Sequence, residues 1–406
     1  MSEKTKFPSM RLMAITFASS GALSWFFVVT LHFDFLFHGV TDNPFWIFSG
    51  LVLFYGFGAL SAFVGVFIQK KITRKSLLFW STTLGILTTG ALVVFQGDLF
   101  ALIFGILLGT SFGISFPASA ALFGDHTEIG NRGRIAGILV LMTFILISIE
   151  MLLTEIFSLG IVWVVALIMI LRSTSYLALT QNLKDNEKRN EAKSYTAILT
   201  DRNFVLYIAP WVLFNLVSGL ANFIYPGLPK TLDYENALEI GNLLQFLSLA
   251  AVSLVSGYLS DRFGRKPPVV IGVVAFGVSF AILGFATSPL SLIIQLTIHG
   301  IAWGFCMVAY FAIPGDLADF QPKEKFYATS TVLPFISYMA TGTLPAILGV
   351  SADPNFLSPI LSIFLFVSVV PVLFARDTLS EQKITERKMV EYAKKVAKES
   401  KNGYIQ

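Results

Sequence analysis

Gly257-Tyr-Leu-Ser-Asp261-Arg262-Phe-Gly264-Arg265-Lys266 sets four charged side chains between two long apolar runs. Runs of that length read as membrane spans, so these charges must lie just outside the bilayer, where one spanning helix ends and the next begins. Gly264 can take the positive φ that a tight helical hairpin needs, and Gly257 lets backbones approach where helices cross. Arg262, Arg265 and Lys266 form a cationic cluster that anchors the loop on the cytoplasmic side. Asp261 is the one acid able to pair with them or to cap a neighbouring helix.

The rest of the chain agrees with a membrane setting. Of 406 residues, 55% are hydrophobic and only 13% charged, with a mean hydropathy of +0.72. A soluble domain of this size needs far more charge to face water. The net charge of +4 and pI near 9.0 would suggest nucleic acid in a soluble protein, but here the placement of charge matters more than its total, and no nucleic-acid partner is expected. Cys306 stands alone inside an apolar run, which excludes an internal disulfide and a cysteine metal cluster. The first ten residues lead into a run too long for a signal peptide, so cleavage is not expected.

Apolar stretches bounded by charge or by Gly/Pro turns give twelve candidate spans, at 11–37, 44–69, 76–96, 98–123, 135–154, 157–179, 203–225, 237–260, 267–286, 289–314, 327–349 and 356–375. An even number puts both termini on one side. With the N-terminus inside, 27 of the 29 Lys and Arg fall on inner segments, leaving Arg172 within a span and Lys230 outside. Both termini are therefore expected in the cytoplasm, with the protein in the cell membrane. The charged stretch 181–202 lies near the midpoint and reads as a cytoplasmic linker. It separates an N-terminal six-helix bundle, 1–180, from a C-terminal one, 203–375, in an all-α polytopic protein. A tail, 376–406, carries Ile384, Met389, Tyr392 and Val396 at roughly helical spacing, which suits either a helix lying on the inner leaflet or a solvated segment.

The two halves repeat. At an offset of 191 residues, Gly109, Gly113, Ala118, Ala121, Gly124 and Asp125 fall onto Gly300, Gly304, Ala309, Ala312, Gly315 and Asp316. Gly105, Gly109 and Gly113 at four-residue spacing predict a close-packing groove on span 4.

The spacing G-x-x-x-D-R-x-G-R-K, filled here at every position, resembles the loop signature of the major facilitator superfamily of secondary transporters. The resemblance implies two six-span bundles in parallel repeat, a central cavity lined by spans 1, 4, 7 and 10, alternating access, and cytoplasmic loops that latch the outward-open state. It also implies that Asp261 bonds to the start of the helix three spans later, near Tyr327. In the first half the matching loop is Gly65-Val-Phe-Ile-Gln-Lys-Lys-Ile-Thr-Arg74-Lys75. The flanking glycine and the basic pair remain, one residue is added, and the aspartate is absent, with Gln69 and Lys70 nearest its place. Whether that half has a latch is left open.

Polar groups inside hydrocarbon cost roughly 2.5–3.5 kcal/mol for a central charge on insertion scales, so each needs a reason. His299 falls near the midplane of span 10, and Gln295, His299 and Trp303 recur at i, i+4, i+8 on one face. Trp211, Asn215 and Asn222 make a second stripe on span 7, whose amides bond either a substrate or a neighbouring helix. By the resemblance both stripes face the cavity and are substrate-binding candidates. Asp34, with His32, is a proton-coupling candidate if burial raises its pKa toward neutrality. Glu150 in span 5 is the second such candidate, and Arg172 is expected to snorkel to the inner surface. A cavity rich in Phe and Trp would suit amphipathic or hydrophobic solutes.

No H-E-x-x-H, G-x-S-x-G or P-loop is present and the four histidines are scattered, so neither an enzyme nor an ATP-driven pump is expected, and no catalytic residue, metal or cofactor is assigned. The reading is a monomeric secondary active transporter of a small organic solute, coupled to protons and directed toward efflux. The alternative is a sensor or scaffold that kept the fold without transporting, supported by the missing first-loop aspartate.

Overall fold

Five of the long helices open on residues that satisfy their first free N–H groups. Asn43, Thr73, Asp201 and Asp353 each accept from an N–H one turn in, and Ser288 exchanges bonds with Ser291 in a capping box. Pro44, Pro289 and Pro354 sit at the first helical positions, where no N–H is needed. The computed structural model describes residues 10–69, 71–180, 194–225, 228, 231–285, 288–318, 321–348, 353–379 and 389. Most of the linker, the tail positions Ile384, Tyr392 and Val396, Lys70, Lys230 and the side chain of Asn222 lie outside the described residues.

Among those residues the chain forms fourteen α-helices. They are α1 (Met10–Leu31), α2 (Phe33–His38), α3 (Pro44–Ile68), α4 (Arg74–Ala91), α5 (Asp98–His126), α6 (Arg132–Ile156), α7 (Ile161–Ser173), α8 (Tyr195–Leu199), α9 (Arg202–Ile224), α10 (Leu232–Phe263), α11 (Lys266–Gly284), α12 (Pro289–Leu317), α13 (Glu324–Leu348) and α14 (Pro354–Phe374). A 3₁₀ turn, Thr174–Thr180, extends α7. The first expected span is broken at His32 into α1 and α2.

Among the described residues ten helices are long and apolar enough to cross a membrane; α4 and α13, both expected as spans, are not among them, and for α13 the side chains of its last turns, 342–348, lie outside the described residues. Both are rich in Ser and Thr. Their hydroxyls bond back onto their own helix: Thr83 to Phe79 O, Thr89 to Gly85 O, Thr331 to Tyr327 O and Thr341 to Ser337 O, all at 2.7–2.9 Å. Self-bonding of this kind removes the exposed hydroxyl that hydrocarbon penalises, which a hydropathy sum does not register.

Within the first half α3 lies along α5, and within the second α10 lies along α12; across the halves α6 meets α10 and α3 meets α13. The groove predicted on span 4 is real. A Cβ on Gly105, Gly109 or Gly113 would stand 2.3, 2.2 and 2.1 Å from the carbonyl oxygens of Gly50, Phe54 and Gly58 on α3. The same construction recurs on α12, where Gly300 meets Gln245 O at 2.1 Å and Gly304 meets Leu249 O at 2.8 Å. Gln245 and Leu249 stand 191 residues beyond Phe54 and Gly58, so the sequence repeat survives at the level of contacts.

Two expectations need correction. Gly65 is not the counterpart of Gly257. Its Cβ would touch Ile114 on α5 of its own half, whereas that of Gly257 would touch Gly133 O on α6. At the offset of 191 Val66 takes that place, and no residue is added. Arg172 does not snorkel: it is fully buried, 4.5 Å above the Trp25 ring, and donates to the hydroxyls of Ser111 and Ser115 at 2.9 Å. Gly85 leaves room for it, since a Cβ there would come within 2.9 Å of Nε. Hydroxyls and an aromatic face substitute for water.

Gly113→Ala should lower the melting temperature of detergent-purified protein, by about 1–3 kcal/mol in stability, because the methyl forces two backbones apart. Gly56→Ala, on α3 with only Met339 Sδ at 3.8 Å, should leave stability unchanged or raise it. Equal effects at the two sites would refute the groove.

Candidate functional site

The basic ends of the helices meet on one face, and a buried ionic cluster joins them. Gly264, at φ +101°, ends α10 and turns Arg265 inward, where it is fully buried. Arg265 Nε donates to Asp316 at 2.7 Å, and its two terminal nitrogens donate to Asp261 at 2.9 Å and to Ile129 O at 2.7 Å. Burial alone would ease the proton off this guanidinium. The carboxylates of Asp316 and Asp261 reverse that and raise its pKa above the ordinary value. Arg132, the first residue of α6, forms a short pair with the other oxygen of Asp316 and donates to Gly124 O at 2.9 Å.

Asp261 accepts from the backbone N–H groups of Gly133 and Arg134 at 2.8 and 2.9 Å. It therefore caps the start of α6, in the opposite half. This overturns the expectation that its partner helix begins near Tyr327. The partner is fixed by which helix crosses α10, and α6 does so at Gly257 and Gly133, where neither chain has a side chain to keep them apart.

The first half has a latch after all, with its acid moved. Arg74, 191 residues before Arg265, donates to Asp125 at 2.8 Å and to Glu324 at 2.8 Å through Nε, with a further short contact to Glu324. Lys323 donates to Asp125 at 2.7 Å. Glu324, with a side chain only 2% exposed, is the first residue of α13 and stands 191 residues beyond Gly133. In the second half the loop carries the acid and the facing helix start is glycine. In the first half the facing helix start carries the acid.

Above this face lies a cavity of about 380 Å³, bounded by residues of α1, α3, α5, α6, α9, α10, α12 and α13. It is walled mainly by aromatic side chains, with Asn215, Asn242, Gln245, Ser218 and His299 among its polar groups. Phe311 seals it toward the basic face, with ring centroids 5.0 Å from Phe123 and 6.0 Å from Phe116. Toward the other face Thr30, Leu31, Tyr55 and Tyr338 divide it from a second cavity of about 360 Å³. Tyr55 and Tyr338 come from opposite halves, their rings 5.1 Å apart.

Of the residues expected to bind substrate, Trp211, Asn215, His299 and Trp303 line this cavity together. Trp303 Nε1 donates to His299 Nε2 at 2.9 Å, so that nitrogen is the acceptor and the ring is neutral. The Asn215 amide donates to Trp211 O at 2.8 Å. Gln295 stands behind the wall, fully buried beside the Tyr225 hydroxyl, without completing a hydrogen bond to it. Asn222 lies outside the described side chains.

The acidic candidates separate. Asp34 is 81% exposed, 3.4 Å from His38 at the second cavity, so the burial expected of it is absent; α2 buries Phe33, Leu36 and Phe37 and leaves Asp34 on its open side. His32 instead meets Glu150, with Nε2 at 3.1 and 3.2 Å from the two carboxylate oxygens. Glu150 is 3% exposed and also accepts from Thr154 at 3.0 Å.

Sequence reasoning missed Arg74 and Glu324 as partners. The offset of 191 pairs Arg74 with Arg265 and Arg132 with Lys323, and could have found them. It missed Asn242 and Gln245 too, whose i, i+3 amides in an apolar run were the available signal.

A family model described as Major Facilitator Superfamily matches residues 12–325 and 216–398. The chain is similar to a multidrug resistance protein MdtL of Vibrio parahaemolyticus, 25% identical over 43% of this chain and 47% of the relative. It is also similar to multidrug resistance protein 2 of Bacillus subtilis, 24% identical over 47% and 46%. The alignment thus spans less than half the length of each curated relative. In fold it resembles the crystal structure of the human organic anion transporter MFSD10, with a TM-score of 0.70, 11% identity, and coverage of 90% of this chain and all of that one.

Glu324→Gln should destabilise the purified protein by about 3–5 kcal/mol, because it leaves Arg74 buried against one remaining acid. Arg74→Met with Glu324→Met should recover most of that loss in thermal unfolding. Additive losses would rule out the pair as a coupled unit.

Proposed function

The chain belongs to the Major Facilitator Superfamily, and on that premise we propose that it is a proton-coupled secondary transporter that expels a small amphipathic solute through the central cavity. The observation that carries this reading is a walled cavity shared by both halves, with a histidine–carboxylate pair one residue beyond its lining at Thr30 and Leu31. In this reading residues 1–180 and 203–375 are the two bundles, joined by 181–202, and residues 376–406 are the tail. The basic face is cytoplasmic, and the protein sits in the cell membrane. Alternating access consists of releasing the ionic cluster and the Phe311 seal on that face while Tyr55 and Tyr338 close the other.

Glu150 and His32 are the coupling groups, and Asp34 is a mouth residue. A carboxylate held by an imidazole and one hydroxyl can exchange a proton when water reaches it and hold its charge by pairing when it does not. Trp211, Asn215, His299 and Trp303 contact the solute. The direction follows the printed names of the bacterial relatives, which are multidrug resistance proteins. A scaffold without transport loses its support, since Glu324 supplies the acid missing from the first loop.

In a bacterium lacking its main efflux pumps, expression should raise tolerance to members of a panel of amphipathic antibiotics, and a protonophore should abolish the effect. Glu150→Gln should remove the tolerance at equal membrane abundance, while Asp34→Asn should keep it. Full tolerance in Glu150→Gln would reject the coupling assignment, and tolerance to no compound would reject efflux.

A further inference from the structure

We propose that the central cavity selects uncharged aromatic solutes and rejects organic cations and anions alike. The inference rests on the reading of that cavity as the solute site. Its first support is a chemical count of the wall: no Asp, Glu, Lys or Arg is among the described residues that line it. The polar groups it offers are amides, hydroxyls and His299, which donate and accept hydrogen bonds but carry no counter-charge.

His299 is committed to its neutral form by geometry. A proton on Nε2 would face the indole N–H that Trp303 already directs there at 2.9 Å, so the imidazole cannot become a cation without breaking that bond. It therefore does not serve an anion. The charged groups around the cavity are all spent elsewhere or walled off. Glu150 is paired with His32, Asp34 and His38 lie beyond the partition of Tyr55 and Tyr338, and Arg172 is held among Ser111, Ser115 and Trp25. An ion entering the cavity would leave its hydration shell and find no partner, which strongly disfavours it.

The aromatic preference comes from ring geometry. Phe26, Phe112, Phe335, Trp211, Trp303 and Tyr310 line the cavity, and their rings brace one another, Trp211 on Tyr310 at 4.5 Å and Trp303 edge-on to Trp211 at 5.7 Å, so a flat guest meets a fixed aromatic wall. Asn215, Asn242 and Gln245 supply the few directed polar contacts that orient such a guest.

Three anthracene probes share one ring system and differ in charge: 9-anthracenemethanol, the (9-anthracenylmethyl)trimethylammonium ion and 9-anthracenecarboxylate. Quenching of tryptophan emission in the purified protein should report binding of the alcohol, and both ions should bind at least about tenfold more weakly, equivalent to roughly 1.4 kcal/mol. Asn215→Asp, nearly isosteric, should bring the trimethylammonium probe to at least the affinity of the alcohol. If the cation binds the unaltered protein as well as the alcohol does, the selectivity is refuted while the site stands. If alcohol binding is unchanged in Trp211→Ala and in Trp303→Ala, the cavity is not the site and both readings fall.

Discussion

The contact on which the architecture turns is the buried pairing of Arg265 with Asp261 and Asp316. Matching its donors offsets much of the cost of burying a guanidinium, and here Nε and both terminal nitrogens have partners within 3.0 Å. Because Asp261 also caps α6 and Asp316 also holds Arg132, one desolvated side chain ties α10, α12 and the start of α6 together. Pairs of this kind contribute little net stability against an apolar alternative, but they are unforgiving about position. That combination suits a contact that closes in one register only.

The two halves solve the same problem with different bookkeeping of the acid. Arg74 and Arg265 occupy equivalent places, as do Asp125 and Asp316 and the basic residues Arg132 and Lys323. Only the second carboxylate moves. Asp261 needs the bare backbone of Gly133 in front of it, since a Cβ there would stand 2.6 Å from its oxygen. Glu324 replaces glycine at that very position and reaches back toward the arginine. A carboxylate lost from the loop is therefore regained from the helix it faces, and each cluster sets two carboxylates against its cations.

Between the ionic face and the tyrosine partition the wall of the cavity carries no Asp, Glu, Lys or Arg among its described residues, yet it is not apolar. Amides from α9 and α10, the neutral imidazole of α12 and hydroxyls of α13 converge on one space enclosed by rings. Helix α13 brings its hydroxyls into the fold already bonded to its own carbonyls, which is why so polar a sequence can serve as a wall here.

Much of this was legible in the residues. Apolar run lengths, the placement of Lys and Arg and the repeat at 191 residues reflect constraints that act locally: a span must cover the hydrocarbon, and a glycine must stand wherever two backbones touch. The stripe of His299 and Trp303 was legible for the same reason, since helical periodicity alone puts i and i+4 on one face. Partner choice was not. That Asp261 caps α6, that Glu324 answers Arg74, that Glu150 meets His32 while Asp34 turns to solvent, and that Arg172 stays inside on serines and Trp25 depend on which helices cross and at what height. Those crossings are set by packing summed over the whole chain, so only the tertiary structure decides them.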